Sequence, residues 1–166
     1  VRDAAMSKPT EDLHAFAAAL PPTGALLGLD YGSKTIGLAI SDRTRMIASP
    51  LETIRRVKQT LDIEAIKAIV AKHEICGFVA GYPINMDGTK GPRTQATGSF
   101  ARALLAAIPL PLLLWDERLS TVAAERALLE ADTSRAKRAV SIDKVAAGII
   151  LQGALDRLAN ARGAAV

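Results

Sequence analysis

The chain has 166 residues, 49% of them hydrophobic and 23% charged, with a formal net charge of +4. That length suits one domain with a single sizeable core, and the composition excludes general disorder. One cysteine, Cys76, excludes an internal disulfide and a multi-cysteine zinc site. The two histidines, His14 and His73, stand in unrelated contexts, so any metal here would be hard and oxygen-bound.

The mild basic excess permits a nucleic-acid partner without demanding one. The longest apolar stretch, 104–115, is too short for a membrane span and carries Pro109 and Pro111. The N-terminal stretch VRDAAMSKPTEDL lacks the apolar core of a signal peptide. A cytoplasmic location with no membrane partner is the expectation. Cys76 opens the apolar run CGFVAGY and reads as a buried structural thiol.

In chain order, polar residues 1–10 predict a loose tail and residues 11–20 a short helix, stopped by Pro21-Pro22. Residues 1–23 thus read as an extension before a domain over 24–160. The runs ALLGLDY (25–31) and TIGLAIS (35–41) predict two strands of a hairpin around Gly32-Ser33-Lys34. Residues 47–54 predict a third strand, placed at a sheet edge by Pro50. Leu61, Ile63, Ile66, Ile69 and Val70 share one face of a helix predicted over 59–73. A strand (76–81), a Gly-rich loop (82–92), a helix (93–107), a strand (112–116) and a helix (121–131) follow. A basic connector, 135–140, leads to a final helix over 142–159. Three meandering strands, then two strands alternating with helices, predict an α/β fold: a mixed five-stranded sheet flanked by helices.

Three acids stand out by position. Asp30 closes the first strand, Glu117 follows the strand LLLWD, and Asp143 falls in the first turn of the expected last helix. Strand ends and the helices over them converge on one edge of an α/β sheet, where ligands bind. Clustered carboxylates must either raise their pKa values or hold a cation, and Mg²⁺ or Mn²⁺ suits oxygen ligands. Two such ions about 4 Å apart can activate water and stabilise the leaving oxygen of a phosphodiester, with no histidine, cysteine or serine nucleophile. Each acid also has a plain alternative: Asp30 as a turn opener, Asp143 as a helix-dipole partner behind an N-cap at Ser141. Asp116 and Glu117 are neighbours that point to opposite faces, and the residues alone leave open which one faces the site. Asp42 should lie roughly 15–20 Å from Asp30 at the usual strand rise and serve as a turn residue.

The stretch GLDYGSKTIGLAISD (28–42) resembles the opening motif of the YqgF/RuvX family, Holliday-junction-resolvase-like proteins also described as nucleases of small-subunit ribosomal RNA precursors. Three further blocks agree in order and spacing: GYPINMDGTKGPRTQ (81–95), WDERLST (115–121) and DKVAAGIIL (143–151). The resemblance covers residues 24–158 and implies a ribonuclease H-like fold with a metal-dependent nuclease site. It carries the motif acids onto Asp30, Glu117 (rather than Asp116) and Asp143. Many members have arginine after the lysine of the first block, whereas here Lys34 is followed by Thr35. The implied substrate is structured RNA, the 5′ end of the 16S rRNA precursor, with branched DNA as the alternative.

Phosphate contacts are expected from Lys34, from Arg93 beside the N-terminus of the helix opened by Pro92, and from Arg118. Arg135, Lys137 and Arg138 of the basic connector are further candidates. The rival classes are a non-catalytic RNA- or transcription-associated binding protein and a nucleotide phosphotransferase. The latter is disfavoured because its relatives clamp ATP between two such domains and this chain supplies one. A homodimer is possible, but no exposed apolar stripe marks an interface.

Overall fold

The computed structural model describes residues 7–121 and 135–164, with side chains described for 7–121 and 142–161. Five strands form one sheet in the order β3-β2-β1-β4-β5: β1 (Ala25–Tyr31), β2 (Thr35–Ser41), β3 (Ala48–Arg55), β4 (Ile75–Tyr82) and β5 (Leu112–Asp116). β1 is antiparallel to β2 and parallel to β4, and β4 is parallel to β5. Its near-continuous burial is what a strand covered on both faces requires, so β1 sits at the centre. β3 is the exposed edge; Pro50 falls where the β2–β3 register shifts, a bulge that tolerates the missing amide.

Strand alternation divides the core. Leu27, Leu29, Ile36, Leu38 and Phe78 face α2 (Gln59–His73) and α3 (Pro92–Ala107), which contribute Ile63, Ile66, Phe100 and Leu104. Leu26, Ala39, Val79, Leu113 and Trp115 face the other way, onto α1 (Leu13–Ala19) and α4 (Arg135–Ala164). On α4 the sheet-facing residues Ala147, Ile150, Leu151, Ala154 and Leu158 recur at helical spacing and are buried. The helix predicted over 121–131 falls almost wholly outside the described residues.

Two expectations are corrected. The segment 135–140 is the start of α4, not a connector. Its sequence, RAKRAV, is rich in strong helix formers, so the helix continues where a basic loop was expected. Asp143 therefore lies in the third turn of α4, about 12 Å from its start at 1.5 Å per residue. The dipole and N-cap account of Asp143 no longer applies. The same shift places Arg135, Lys137 and Arg138 in the first two turns of α4, with side chains outside the described ones.

The short helix expected over 11–20 is α1, and residues 7–23 of the extension pack onto the domain. Asp12 caps α1 by accepting from the amides of His14 and Ala15, at 2.9 and 3.3 Å. Phe16 is fully buried in the α4-side core. Thr10 pairs with the outer edge of β5, donating to Leu112 O at 3.0 Å and accepting from Leu114 N at 2.7 Å. The buried Arg45 guanidinium donates to Gly24 O (2.9 Å) and Pro21 O (2.8 Å), and to Cys76 Sγ at 3.4 Å. Cys76 is half-buried and donates to Ala25 O, which fits a structural thiol. No helix among the described residues is long and apolar enough to cross a membrane.

Phe16→Ala should lose about 3–5 kcal/mol of unfolding free energy, measured by denaturant titration, because it opens a cavity between α1, α4 and β5. A loss below about 1 kcal/mol would mean that the extension does not complete the core.

Asp42 is a turn residue at the other end of the sheet from Asp30, because the hairpin register (Leu27↔Ile40, Asp30↔Gly37) carries it to the level of Ala25. The hydroxyl of Thr44 and the amides of Ile47 and Met46 donate to its carboxylate. These bonds favour the ionised form and lower its pKa from 3.8 to about 2. A lowered folded pKa stabilises above the unfolded value, and that contribution is lost as pH falls from 3.8 through about 2. The stability difference between wild type and Asp42→Ala should therefore be constant near neutrality and shrink as pH falls through that window. Thermal unfolding in a pH series reads it.

Candidate active site

Asp30 is the last fully packed residue of β1, 5% exposed, and it points to the α4 side of the sheet. Its partner on β2 is Gly37. Continuing the parallel register Leu29↔Ala80 by one residue puts Gly81 beside it on β4. Two glycines flanking an acid leave open the space that side chains would fill. A β-carbon at Gly37 would stand 2.1 Å from the carbonyl oxygen of Asp143. At Gly81 it would stand 2.7 Å from Glu117 Oε1 and 2.5 Å from Ile150 Cδ1. Asp143 therefore lies over β2, Glu117 over β4 and Asp30 between them. Strands about 4.8 Å apart make these neighbouring positions on one face and one edge of the sheet.

The three acids share a row without forming a tight cage. Among the described residues, no three His, Cys, Asp or Glu side chains are gathered closely enough to hold one metal ion. Asp30 and Asp143 line the same cleft, about 700 Å³ in volume, and Glu117 stands just outside its lining. The Thr35 hydroxyl donates to Asp143 Oδ2. Asp30 and Glu117 are each engaged as well. The cleft lining offers carboxylate and hydroxyl oxygens and no sulfur or imidazole, a donor set that fits a hard divalent ion rather than zinc.

Asp116 is turned away. It pairs with Tyr82 on β4, while its strand neighbour Trp115 packs toward α4. Its carboxylate caps the short turn Glu117–Leu119 by accepting from Arg118 N at 2.9 Å, and it ion-pairs with the Arg118 guanidinium at 2.7 Å. The guanidinium holds the Asp116 carboxyl below its ordinary pKa, and the carboxylate in turn raises that of Arg118. Arg118 is thus committed to an acid, on the rim beside Gly88.

Lys34 and Arg93 both line the cleft. Arg93 follows Pro92, the first residue of α3, whose N-cap Gly91 supplies no side-chain cap. The side chains of Arg135, Lys137 and Arg138 lie outside the described residues. One cleft residue escaped the sequence reading. The Arg56 guanidinium stacks 4.4 Å over the Tyr31 ring and donates to Gly32 O (2.8 Å) and Ser33 O (3.0 Å). Tyr31 is itself stacked on Phe100, with ring centroids 4.3 Å apart. The basic run IRRVK (54–58) at the end of β3 is the signal that would have found it.

The sequence model of the family described as "RuvX: Holliday junction resolvase" matches residues 24–157. This chain belongs to the RuvX family. Relatives named "Putative pre-16S rRNA nuclease" agree along most of their length. The Rhodobacter capsulatus protein is 63% identical over 145 residues, 87% of this chain and 91% of that one. The Paracoccus denitrificans protein is 62% identical over 148 residues, 89% of this chain and 94% of that one. Among solved structures, Thermus thermophilus RuvC in complex with a Holliday junction substrate aligns with TM-score 0.51 at 13% identity, covering 79% of this chain and 93% of that one. The yeast mitochondrial Holliday junction resolvase aligns at 0.52 and 14%, covering 91% and 86%. These likenesses establish the ribonuclease H-like fold.

In this RuvX protein the two glycines beside Asp30 should differ under substitution. Gly37→Ala drives a methyl into the α4 backbone, whereas Gly81→Ala meets only side-chain ends. Overpacking costs typically about 1–3 kcal/mol, so Gly37→Ala should lie at or above that range and Gly81→Ala below it, by denaturant unfolding. Equal losses would contradict the close seating of α4 on β2.

Proposed function

We propose that this chain is a metal-dependent nuclease that hydrolyses phosphodiester bonds in the cytoplasm, processing the 5′ end of the 16S rRNA precursor. The observation that carries this reading is the pairing of Asp30 and Asp143 in one cleft with Lys34, Arg56 and Arg93, with the Glu117 carboxylate in the adjoining row. The name shared by the relatives at 62–63% identity supports the RNA substrate.

In this reading Asp30 and Asp143 would hold Mg²⁺ or Mn²⁺ in the cleft, and Glu117 would join them from the adjoining row. The bound ion supplies Lewis-acid charge for water activation and for the leaving oxygen. The chain's own part is positional. The Thr35 hydroxyl holds one Asp143 oxygen and so orients the carboxylate. Lys34 and Arg93 neutralise the phosphate that the carboxylates would otherwise repel, and Arg56, held on Tyr31 and two carbonyls, fixes the wall on which the strand rests. The fold and the family description favour a second substrate, the four-way DNA junction, for the same chemistry.

The test offers the full chain labelled 16S-precursor RNA, four-way junctions and single-stranded DNA, with Mg²⁺ or Mn²⁺. The precursor should be cut, and EDTA should stop the reaction. Asp30→Asn should lower the rate more than about a hundredfold, beyond the loss of an outer-sphere partner. Its metal-free RNA affinity should stay near that of wild type, since phosphate affinity comes from lysine and arginine. Cutting of junctions alone would move the substrate to DNA. Binding without any cutting would leave a non-catalytic RNA-binding protein.

A further inference from the structure

Next to the acid-lined cleft lies a second one, about 310 Å³, that none of the three acids enters. Lys34, Arg55, Arg56 and Lys58 line it, and Asp62 is the one acid in its lining. The two clefts share Ser33, Lys34 and Arg56, so they form one continuous trough around the turn of the β1–β2 hairpin. The trough changes character along its length: acids and cations together at one end, cations with a single acid at the other.

This second end is built. The end of β3 is tied to the hairpin by a backbone bond from Arg56 N to Lys34 O at 2.9 Å, and by the two Arg56 bonds to Gly32 and Ser33. Asp62, buried in the first turn of α2, accepts from Val57 N at 3.1 Å and so pins the 56–58 segment from below. The four cations of the lining outnumber this one acid. Arg55 sits directly across the strand ladder from Thr35, the residue that holds Asp143, so both belong to the same level of the sheet. Arg55 and Lys58 are exposed. A volume of about ten waters, at about 30 Å³ each, accommodates a solvated phosphate.

We propose that the second cleft is a phosphate subsite. It holds a backbone phosphate of the same nucleic-acid strand, one that flanks the scissile bond, between Arg55, Lys58 and the shared Lys34 and Arg56. This rests on the reading above only in placing the scissile bond beside Asp30. Binding in the second cleft needs neither metal nor cleavage. Its function is register: a phosphate fixed here sets which bond of the strand reaches the carboxylates.

The experiment titrates the full chain with a fluorescein-labelled 20-residue oligouridylate, in EDTA, over a range of salt. Arg55→Gln with Lys58→Gln should weaken binding on the order of tenfold at low salt. It should also lower the magnitude of the log K against log salt slope by about 0.7, the value for one phosphate contact on a single strand. Lys67→Gln with Lys72→Gln removes the same charge from the exposed side of α2 and should leave both nearly unchanged. All four side chains are exposed, and equal melting temperatures would show that folding is intact. Equal losses from the two pairs, or no loss from the first, would overturn the subsite. A strand held through Arg55 and Lys58 but never cut would overturn the nuclease reading and leave the subsite standing. Cleavage by the Arg55/Lys58 variant at wild-type affinity and at the same bond would overturn the subsite alone.

Discussion

The close approach of the last helix to the sheet is the constraint on which the site depends. Gly28 and Gly37 remove the side chains that would hold α4 off, and the helix answers with Ala147 and the backbone of Asp143. At Gly28 a β-carbon would stand 2.8 Å from Leu151 Cβ and 3.0 Å from Ala147 O, so the seating runs along two turns rather than at one point. A helix packed at the usual side-chain distance would lift Asp143 away from Asp30. The buried stripe from Ala147 to Leu158 supplies the apolar driving force for this seating, and Asp143 is the position where that stripe reaches the carboxyl edge of β1. A polar site is thus placed by an apolar helix face.

The arrangement has an electrostatic cost that the surroundings offset. Three acids in one row repel one another, and the structure spaces them over β2, β1 and β4 instead of closing them into a cage. Thr35 donates to one of them, and Lys34, Arg56 and Arg93 line the same cleft as two of them. Arg118 is withheld by Asp116 on the opposite face. Cations around the rim lower the repulsion that a polyanion would meet on entering, and they do so without neutralising the carboxylates themselves.

Much of this was legible in the sequence, for identifiable reasons. β1, β2, α2 and β5 carry full apolar runs or clean helical periods bounded by Gly, Pro or charged residues, and they fall where the patterns put them. The extension is less legible because its largest buried side chain, Phe16, sits in a short alanine-rich helix whose burial depends on α4, far away in sequence. The start of α4 is ambiguous in the sequence because RAKRAV is both basic, as a connector would be, and helix-forming. In the site, strand ends marked Asp30 and Glu117. Asp143 was marked for the wrong local reason, as a helix-start acid, when its position is set by the Ala147–Leu158 stripe. Arg56 was missed because a guanidinium stacked on a tyrosine two strands away leaves no periodic signal.

Thr35 ties the hairpin to the last helix, since its hydroxyl binds Asp143 directly. The strand pair still presents a cation at that level, because Arg55 stands across the ladder from Thr35. A guanidinium at position 35 would compete with any cation for Asp143, whereas a hydroxyl orients the carboxylate and leaves its charge intact. The positive charge is moved one strand outward, to the edge strand β3, where it lines the neighbouring cleft and not the one that Asp143 enters. The residue that orients the acid and the cations of the neighbouring cleft are thus distinct, and the β2–β3 ladder keeps the two in fixed register.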